Sequence, residues 1–351
     1  MGALEGTGLR TADQQPTGSP AISVVIPTRN RRALLEEAVD SVIAQSYTDW
    51  ELVVVDDASQ DDTWSWLESL SDPRIRCWRL VDHQEQSGAR NAGVRRARGP
   101  IIVSLDDDDL LASDALDTHL QALQRYPEAI ASVGGYTVFD ARGARTLHRV
   151  VRRRCVRDVW QDVLFGWIAT AGQCAFRRQA LLAVDLWDES WRRVTDHELW
   201  ARIGLSGPVA LSPNVVLHYR IHPGQWRPEN LDELMTQARQ RGLNSAEGQR
   251  RALGEETLRV RALALEAFDH YLDAQAARAL GLYLAVVRRM PYLLSSPLTR
   301  PLVLRPMSRC LSGSFGIRLG RRFLDRADRW RGRDVDFSVR ETRTGHDSDE
   351  V

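Results

Sequence analysis

Short apolar runs alternate with longer amphipathic segments over the first 125 residues. The apolar runs are typical of strands buried on both faces of a sheet, and the segments between them repeat apolar residues at helical spacing. The predicted strands are residues 22–26, 51–55, 75–81 and 101–105, and the predicted helices are residues 31–46, 62–70, 89–98 and 113–126, the last with Ser113 as its cap. This alternation predicts a mostly parallel sheet with helices on both faces.

The alternation weakens after residue 129. The pattern there predicts strands at residues 131–139 and 215–217, a helix at 158–168, and mostly helical structure from residue 231 onward, including 255–279 and 282–289. We expect the first 20 residues to form a disordered lead-in, because they are rich in Gly, Thr, Gln and Pro.

Three polar clusters follow predicted strands. They are Thr28 to Asn30, Asp56 with Asp57, and the four consecutive aspartates Asp106 to Asp109. Ligands of parallel sheets bind outside the carboxyl ends of the strands. Because all three clusters occupy such ends, the sequence predicts a binding site at one rim of the sheet.

The four aspartates repel one another and need a source of positive charge. A divalent cation is the simplest one, since carboxylate oxygens suit Mg²⁺ or Mn²⁺. The alternative is a solvated acidic loop that caps the next helix through Ser113 or Asp114.

Composition narrows the class of protein. The 351 residues carry 47 basic and 47 acidic side chains, and every basic one is arginine. We therefore expect no nucleic-acid partner. The four cysteines form no CxxC pair, and the sequence contains neither a signal-like segment nor a run of about 20 apolar residues. These features predict a reduced, cytoplasmic protein.

Three blocks of the sequence resemble family 2 glycosyltransferases, which are inverting enzymes of the GT-A fold. The blocks are SVVIPTRNRRALLEEAVDSVIAQSYTDWELVVVDDASQDDT, GARNAGVRRARGPIIVSLDDDDLL and WRRVTDHELWARI, within residues 22–222. The resemblance implies an α/β, GT-A-type fold with a mostly parallel, Rossmann-like sheet flanked by helices. The resemblance covers the predicted catalytic domain (21–228), with a nucleotide-binding half (21–125) and an acceptor half (126–228). Outside the resemblance, the residue pattern predicts a lead-in (1–20), a helical C-terminal extension (229–338) and a disordered tail (339–351).

The resemblance also implies residues for the nucleotide. Asp57 matches an aspartate that accepts a hydrogen bond from the base, and Asp56 would support the turn or touch the ribose. Thr28 and Arg29 would line the base and ribose pocket, although an aromatic residue often occupies the position of Arg29 in the family. Arg90 would reach the base or the phosphates, as a guanidinium can. The alternatives are helix capping for Asp57 and a solvated helix face for Arg90.

The acidic cluster matches the DxD motif of the family through Asp106 and Asp108. The resemblance implies that Asp108 coordinates Mn²⁺ or Mg²⁺ at the diphosphate, and that Asp106 contacts the ribose or the metal. We expect Asp107 to turn away and Asp109 to support the loop. His222 is a further candidate for a metal ligand or a phosphate contact, and its alternative is an ordinary loop histidine.

Asp196 is the predicted catalytic base, because the block VTDHELW places it where the family has that residue. Inversion in one step needs a base that deprotonates the acceptor hydroxyl. The alternative interpretation is an N-terminal helix cap.

The predicted activity is therefore metal-dependent transfer of a sugar from a nucleotide-sugar donor to a glycan or lipid-linked acceptor, in polysaccharide or glycolipid assembly. Two alternatives are a nucleotidyltransferase and an inactive sugar- or nucleotide-binding module. The nucleotidyltransferase is disfavoured, because PTRNRR lacks the glycines of a triphosphate-binding loop. The arginine-rich C-terminal helices would lie on the inner face of the membrane, pack on the catalytic domain or pair two subunits in a homodimer.

Overall fold

The computed structural model describes residues 18–222 apart from 141–142, 144, 149–150, 152, 165–168 and 193, and also residue 237. The predicted lead-in before residue 18, the predicted C-terminal helices and the predicted tail lie outside the described residues.

The described residues form strands and helices that alternate in the first half of the chain. The strands are β1 (Ile22–Thr28), β2 (Trp50–Asp56), β3 (Ile75–Arg79), β4 (Ile101–Ser104), β5 (Leu110–Leu111), β6 (Ala131–Phe139), β7 (Arg145–His148), β8 (Cys155–Arg157), β9 (Cys174–Arg177) and β10 (Val209–Arg220). The helices are α1 (Arg32–Ile43), α2 (Thr63–Ser69), α3 (Glu85–Arg96), α4 (Ala115–Arg125), α5 (Trp160–Leu164), α6 (Arg178–Ala183) and α7 (Thr195–Ile203).

The strands belong to one mixed sheet. Its main path has the order β3-β2-β1-β4-β9-β6-β10-β5, while β7 pairs with β6 and β8 with β10. The four strands β3, β2, β1 and β4 run parallel, so their carboxyl ends lie at the same edge. Thr28 at the end of β1 stands beside Asp56 at the end of β2. The predicted α/β fold is confirmed.

The second half of the chain extends this sheet with antiparallel pairs. Strand β9 lies between β4 and β6 and is antiparallel to both. Strand β10 runs parallel to β6 and antiparallel to the short β5, which follows the acidic cluster. The acidic cluster is therefore held between the parallel half of the sheet and β10.

The core has two layers, one on each face of the sheet. All seven residues of β1 are buried, and successive side chains point to opposite faces. Val25 packs with Val94 of α3 on one face, whereas Val24 packs with Leu35 of α1 on the other. Each fully buried aliphatic side chain of this kind contributes about 1.5–3 kcal/mol, which fixes the helices that carry the rim loops.

Two local predictions were wrong. Helix α3 begins at Glu85 and not at Ala89, because the carboxylate of Asp57 accepts a hydrogen bond from the N–H of Gln84 just before the helix. Ser113 does not cap α4: the N-cap position is Asp114, without a side-chain cap bond. The carbonyl of Ser113 instead accepts a hydrogen bond from the N–H of Ser46.

Candidate active site

A cleft of about 430 Å³ opens at the edge where the parallel strands end. Its wall is formed by the loop after β1, the loop after β2, the start of α3, the acidic loop after β4 and the segment before α7. The lining residues are Pro27, Thr28, Arg29, Asn30, Arg31, Asp57, His83, Glu85, Gln86, Ala89, Asp106, Asp107, Asp108, Arg192, Val194 and Tyr219. The three polar clusters predicted from the sequence therefore contribute to one cleft.

The acidic loop brings three carboxylates together. Oxygens of Asp106, Asp108 and Asp109 all lie within 4.8 Å of one another. Burial raises the pKa of Asp106, against the attraction of Arg90. Burial, together with the charges of Asp106 and Asp108, raises the pKa of Asp109 well above its ordinary value. Burial and mutual repulsion thus both disfavour the ionised forms of Asp106 and Asp109.

Asp107 and Asp109 also connect the acidic loop to neighbouring elements. Asp107 accepts hydrogen bonds from the Thr28 hydroxyl at 2.8 Å and from Arg31 at 3.0 Å. Burial raises the pKa of Asp107 to about 6, although Arg31 opposes the shift. Asp109 accepts a hydrogen bond from the N–H of Arg220 at 2.8 Å, which ties the loop to the end of β10.

Asp108 has cationic and potentially cationic neighbours on the cleft side. Its Oδ2 lies 2.9 Å from Arg31 Nη1 and 3.1 Å from His222 Nε2. Arg220 donates from Nε to the Asp108 carbonyl at 2.9 Å. The structure therefore places His222 against Asp108, but the converging group of Asp106, Asp108 and Asp109 does not include His222.

Arg90 joins the acidic loop to α7. Its guanidinium is only 1% exposed and pairs with Asp106 through Nη2. Its Nη1 lies 3.2 Å from Oδ1 of Asp196 and 3.1 Å from the hydroxyl of Thr195. Arg90 does not lie on a solvated helix face, so that alternative is wrong. The contacts with Asp106 and Asp196 bring the predicted donor and acceptor sides together.

Asp196 lies in the first turn of α7 but does not cap it. The N-cap position is Val194, at a φ of 47°, and no side chain caps this helix. Oδ1 of Asp196 faces Arg90, and Oδ2 accepts a hydrogen bond from the N–H of Ala171 at 3.1 Å. The left-handed backbone is costly for a β-branched residue such as Val194, and here it directs the first turn of α7 towards the acidic loop.

The predicted nucleotide residues divide into two groups. Thr28, Arg29 and Asp57 line the cleft. Asp56 is fully buried and accepts a hydrogen bond from the N–H of Ser59, so the structure shows it supporting the turn. Burial raises its pKa, although hydrogen bonds from Ser59 oppose the shift.

The comparison with protein families identifies the domain. The family model described as Glycosyl transferase family 2 matches residues 23–184. Residues 23–184 carry a glycosyl transferase family 2 domain. The match covers β1 to α6, and α7 with Asp196 lies just beyond it.

Two curated relatives of this chain have names that refer to bacterial glycan assembly. One is the GalNAc(5)-diNAcBac-PP-undecaprenol beta-1,3-glucosyltransferase of Campylobacter jejuni, 38% identical over 127 residues, which are 35% of this chain and 40% of that protein. Another is the putative teichuronic acid biosynthesis glycosyltransferase TuaG of Bacillus subtilis, 34% identical over 126 residues, 35% of this chain and 50% of that protein. The aligned segments thus span half or less of these relatives.

Solved structures share the fold. A crystal structure of residues 1–349 of S. aureus TarS superposes with a TM-score of 0.55 at 16% identity, over 82% of this chain and 88% of that one. The same TarS fragment in complex with UDP-GlcNAc gives a TM-score of 0.53. At this identity the likeness shows the GT-A-type fold of this chain and nothing finer. Among the described residues, no helix is long and apolar enough to span a membrane.

The acidic loop of this family 2 domain fits a divalent cation. Three carboxylates converge, and hard oxygen donors are the ligands that Mg²⁺ and Mn²⁺ prefer. Burial and the charges of Asp106 and Asp108 raise the pKa of Asp109, although Arg220 opposes the shift, and a bound cation would oppose it further. Asp106, Asp108 and Asp109 would hold the ion.

Sequence reasoning missed several residues of the cleft. Arg31 binds the acidic loop, Gln86 donates to Asp106 at 3.1 Å, and His83 pairs with Asp57. The run PTRNRR marks Arg31 as one of several candidate cations. No pattern marks His83 or Gln86, because the contacts of a loop or first-turn side chain depend on where distant strands end.

Proposed function

We propose that this chain is a metal-dependent, inverting glycosyltransferase that uses a nucleoside-diphosphate sugar. The observation that carries the proposal is the contact of one buried arginine, Arg90, with both Asp106 and Asp196. It puts the partly exposed carboxylate of Asp196 next to the acidic loop that lines the cleft, so a donor diphosphate and an acceptor hydroxyl would meet there.

In this proposal the cleft binds the donor along its length. Asp57 and its neighbours receive the nucleoside, while Asp106, Asp108 and Asp109 hold Mg²⁺ or Mn²⁺ at the diphosphate. The bound cation acts as a Lewis acid that stabilises negative charge on the departing nucleoside diphosphate. Arg31 lies on the same wall and offers a second positive charge to the phosphates.

Asp196 is the proposed general base. Its carboxylate is held by Arg90 and by the N–H of Ala171, and its side chain is 20% exposed, so an acceptor can reach it. Asp196 accepts the proton of the acceptor hydroxyl while its oxygen bonds to the anomeric carbon and the bond from that carbon to the nucleoside diphosphate breaks. Attack on the face opposite the leaving group gives inversion in one step. Arg90 positions Asp196 and does not itself move a proton.

The proposed acceptor is a hydroxyl of a glycan or of a lipid-linked glycan at the cytoplasmic face of the membrane. The names of the relatives support this class, since one acts on an undecaprenol-linked glycan and another is assigned to teichuronic acid biosynthesis. The predicted roles of the C-terminal helices in membrane contact or dimer formation stay predictions.

The activity is tested by release of nucleoside diphosphate from a panel of nucleotide-sugars with Mn²⁺, using a lipid-linked glycan pool as acceptor. We expect one donor to be consumed, with inverted anomeric configuration in the product by NMR. Asp196→Asn should lower the rate at least roughly 100-fold. The control Glu189→Gln removes a half-exposed carboxylate outside the cleft lining and should keep the rate. Equal rates for both variants would contradict the assignment of the base.

A further inference from the structure

A second cavity lies at the opposite edge of the sheet from the candidate active site. Its volume is about 600 Å³, and its lining includes Ala21 before β1, Gly99 and Pro100 before β4, and Arg177 at the end of β9. Because β1 and β4 are parallel and β9 is antiparallel to β4, these positions share the edge at which the parallel strands begin. The seven residues of β1 separate this edge from the cleft by roughly 20 Å.

The charged side chains of this cavity are mostly cationic. Arg98, Arg177 and Arg178 line it, and among the described residues of the lining Asp49 is the one carboxylate. Three guanidinium groups and one carboxylate leave an excess of two positive charges. The cavity therefore has the electrostatic character of an anion site.

Arg98 is fixed by a buried carboxylate. Its Nε and its main-chain N–H donate to the two oxygens of Glu51 at 2.8 Å and 2.6 Å, and the Glu51 side chain is 1% exposed. Glu51 also accepts hydrogen bonds from Ser23 and Arg76. Burial would raise the pKa of Glu51, but these hydrogen bonds hold it below its ordinary value. Because Glu51 is shared by two arginines, it orients Arg98 without cancelling the positive charge of the cavity.

The other two arginines are held by main-chain carbonyls, which carry no net charge. Nε and Nη2 of Arg177 donate to the carbonyls of Ala129 and Leu123 at 2.7 Å and 2.9 Å. Nε of Arg178 donates to the carbonyl of Val94 at 3.3 Å. Within the described part of the chain, the terminal nitrogens of Arg178 make no hydrogen bond or ion pair. A guanidinium that is already oriented through Nε loses less freedom when its terminal nitrogens bind a ligand.

A phosphate group matches this arrangement. Guanidinium groups donate paired hydrogen bonds to phosphate oxygens, and a phosphate monoester carries about two negative charges at neutral pH. A cavity of about 600 Å³ is within the range of small-molecule sites, so it also has room for the rest of a phosphorylated compound.

We propose that this cavity binds the phosphate group of a phosphorylated ligand, with Arg178 as the principal contact and Arg98 beside it. The inference goes beyond the proposed function, because no described residue lines both this cavity and the cleft. A soluble phosphate ester and the headgroup of phosphatidic acid present the same chemistry, and the two sources are separated by experiment.

The test is calorimetric titration of inorganic phosphate into the full chain in the presence of EDTA, with sodium chloride at equal ionic strength as the reference. Without a divalent cation, the carboxylates of the acidic loop disfavour phosphate in the cleft. We expect the wild type to bind phosphate and Arg178→Gln to bind it at least about 10-fold more weakly, because a charge-assisted hydrogen bond is lost. Arg178→Lys keeps the charge but not the paired donors, and its affinity should lie between the two. Phosphate should also raise the Tm of the wild type and leave that of Arg178→Gln unchanged.

Two other arginines provide matched controls. Arg192→Gln removes a 74% exposed guanidinium that lines the cleft. Arg95→Gln removes a 48% exposed guanidinium that lines neither the cleft nor this cavity. Both variants should keep the phosphate affinity of the wild type.

Three results would overturn the proposal and leave the proposed glycosyltransferase activity standing. They are a wild type that does not bind phosphate, an equal phosphate affinity in the wild type and Arg178→Gln, and a loss in Arg192→Gln as large as that in Arg178→Gln. Cosedimentation with phosphatidylcholine vesicles, with and without phosphatidic acid, then identifies the source of the phosphate. Retention that needs phosphatidic acid and is lost in Arg178→Gln assigns a lipid headgroup, whereas phosphate binding without such retention assigns a soluble phosphate ester.

Discussion

Replacing Arg90 by methionine removes the cation that joins the two halves of the candidate site. Methionine has a similar length and no charge, so the substitution changes electrostatics more than volume. Arg90 is 1% exposed, whereas its partners Asp106 and Asp196 have side chains that are 23% and 20% exposed. In the variant, both carboxylates lose their buried counter-charge.

The expected cost follows from this burial. Removing one partner of a buried ion pair destabilises a protein by about 3–5 kcal/mol, because the other charge is left uncompensated. For a domain of about 200 residues, each kcal/mol lowers Tm by roughly 2–4 °C. We therefore expect Arg90→Met to unfold roughly 10 °C below the wild type at neutral pH.

Arg95→Met is the matched control on the same helix. Its guanidinium is 48% exposed and lies 3.4 Å from Glu189, whose side chain is 47% exposed. Exposed pairs of this kind contribute about 0–1 kcal/mol, so Tm should fall by at most a few degrees. Thermal unfolding followed by circular dichroism or calorimetry measures both variants under the same conditions.

The double variant Arg90→Met with Asp196→Asn tests the cause. Neutralising Asp196 removes one of the two uncompensated charges, so the double variant should unfold several degrees above Arg90→Met alone. A Tm of Arg90→Met within about 2 °C of the wild type would show that the two carboxylates do not depend on this arginine. A double variant whose Tm falls by the sum of the two single losses would also show that Asp196 does not depend on Arg90.

Three further predictions concern local features. Asp196→Asn should keep nucleotide affinity within about 3-fold while the rate of sugar transfer falls, because the proposed role of Asp196 concerns the acceptor. A loss of nucleotide affinity by calorimetry as large as the loss of rate would contradict this role. Gly172→Ala should lower the free energy of unfolding in urea by about 2 kcal/mol or more. Gly172 has a φ of +74°, and an added Cβ would lie 2.5 Å from Leu217 Cδ1. An unchanged urea midpoint would contradict this prediction. Burial lowers the pKa of His119 to about 3 from 6.5, so below pH 6.5 the unfolded chain takes up a proton that the folded chain does not. The free energy of unfolding should therefore fall by about 2 kcal/mol between pH 7 and pH 5. His119→Gln should abolish this loss, and an equal pH dependence of stability in the wild type and the variant would disprove the prediction.

The parallel half of the fold could be predicted because its signal is local. A strand buried on both faces is mostly apolar, as β1 is apart from Ser23 and Thr28, and the helices between such strands repeat apolar residues at helical spacing. Strand β9 (Cys174–Arg177) has only four residues, and it forms by pairing with β4 and β6, which lie far away in the sequence. No local pattern predicts a strand whose stability depends on two distant neighbours.

The candidate site also has a part that the sequence could predict and a part that required the structure. The position of the acidic cluster after a buried strand indicated a cation site or a solvated loop, and the family resemblance singled out Asp106 and Asp108 as ligands, which stays a prediction. The contact of Arg90 with Asp196 joins residues 106 positions apart, and the pairing of His83 with Asp57 depends on where β2 and β3 end. Family resemblance supplied Asp196 as a candidate, but the burial of Arg90 between two carboxylates required the structure.

Metal-dependent nucleotide binding at the acidic loop is the decisive test of the proposed donor site. UDP, dTDP and GDP are titrated by calorimetry with and without Mn²⁺ into the wild type, Asp108→Asn and the control Asp114→Asn, whose carboxylate is exposed and outside the cleft lining. We expect one nucleotide to bind at least about 10-fold more tightly with Mn²⁺, and Asp108→Asn alone to abolish this gain. Nucleotide affinity that does not change with Mn²⁺, or an equal loss of the Mn²⁺ gain in both variants, would contradict the assignment of the acidic loop as the metal site.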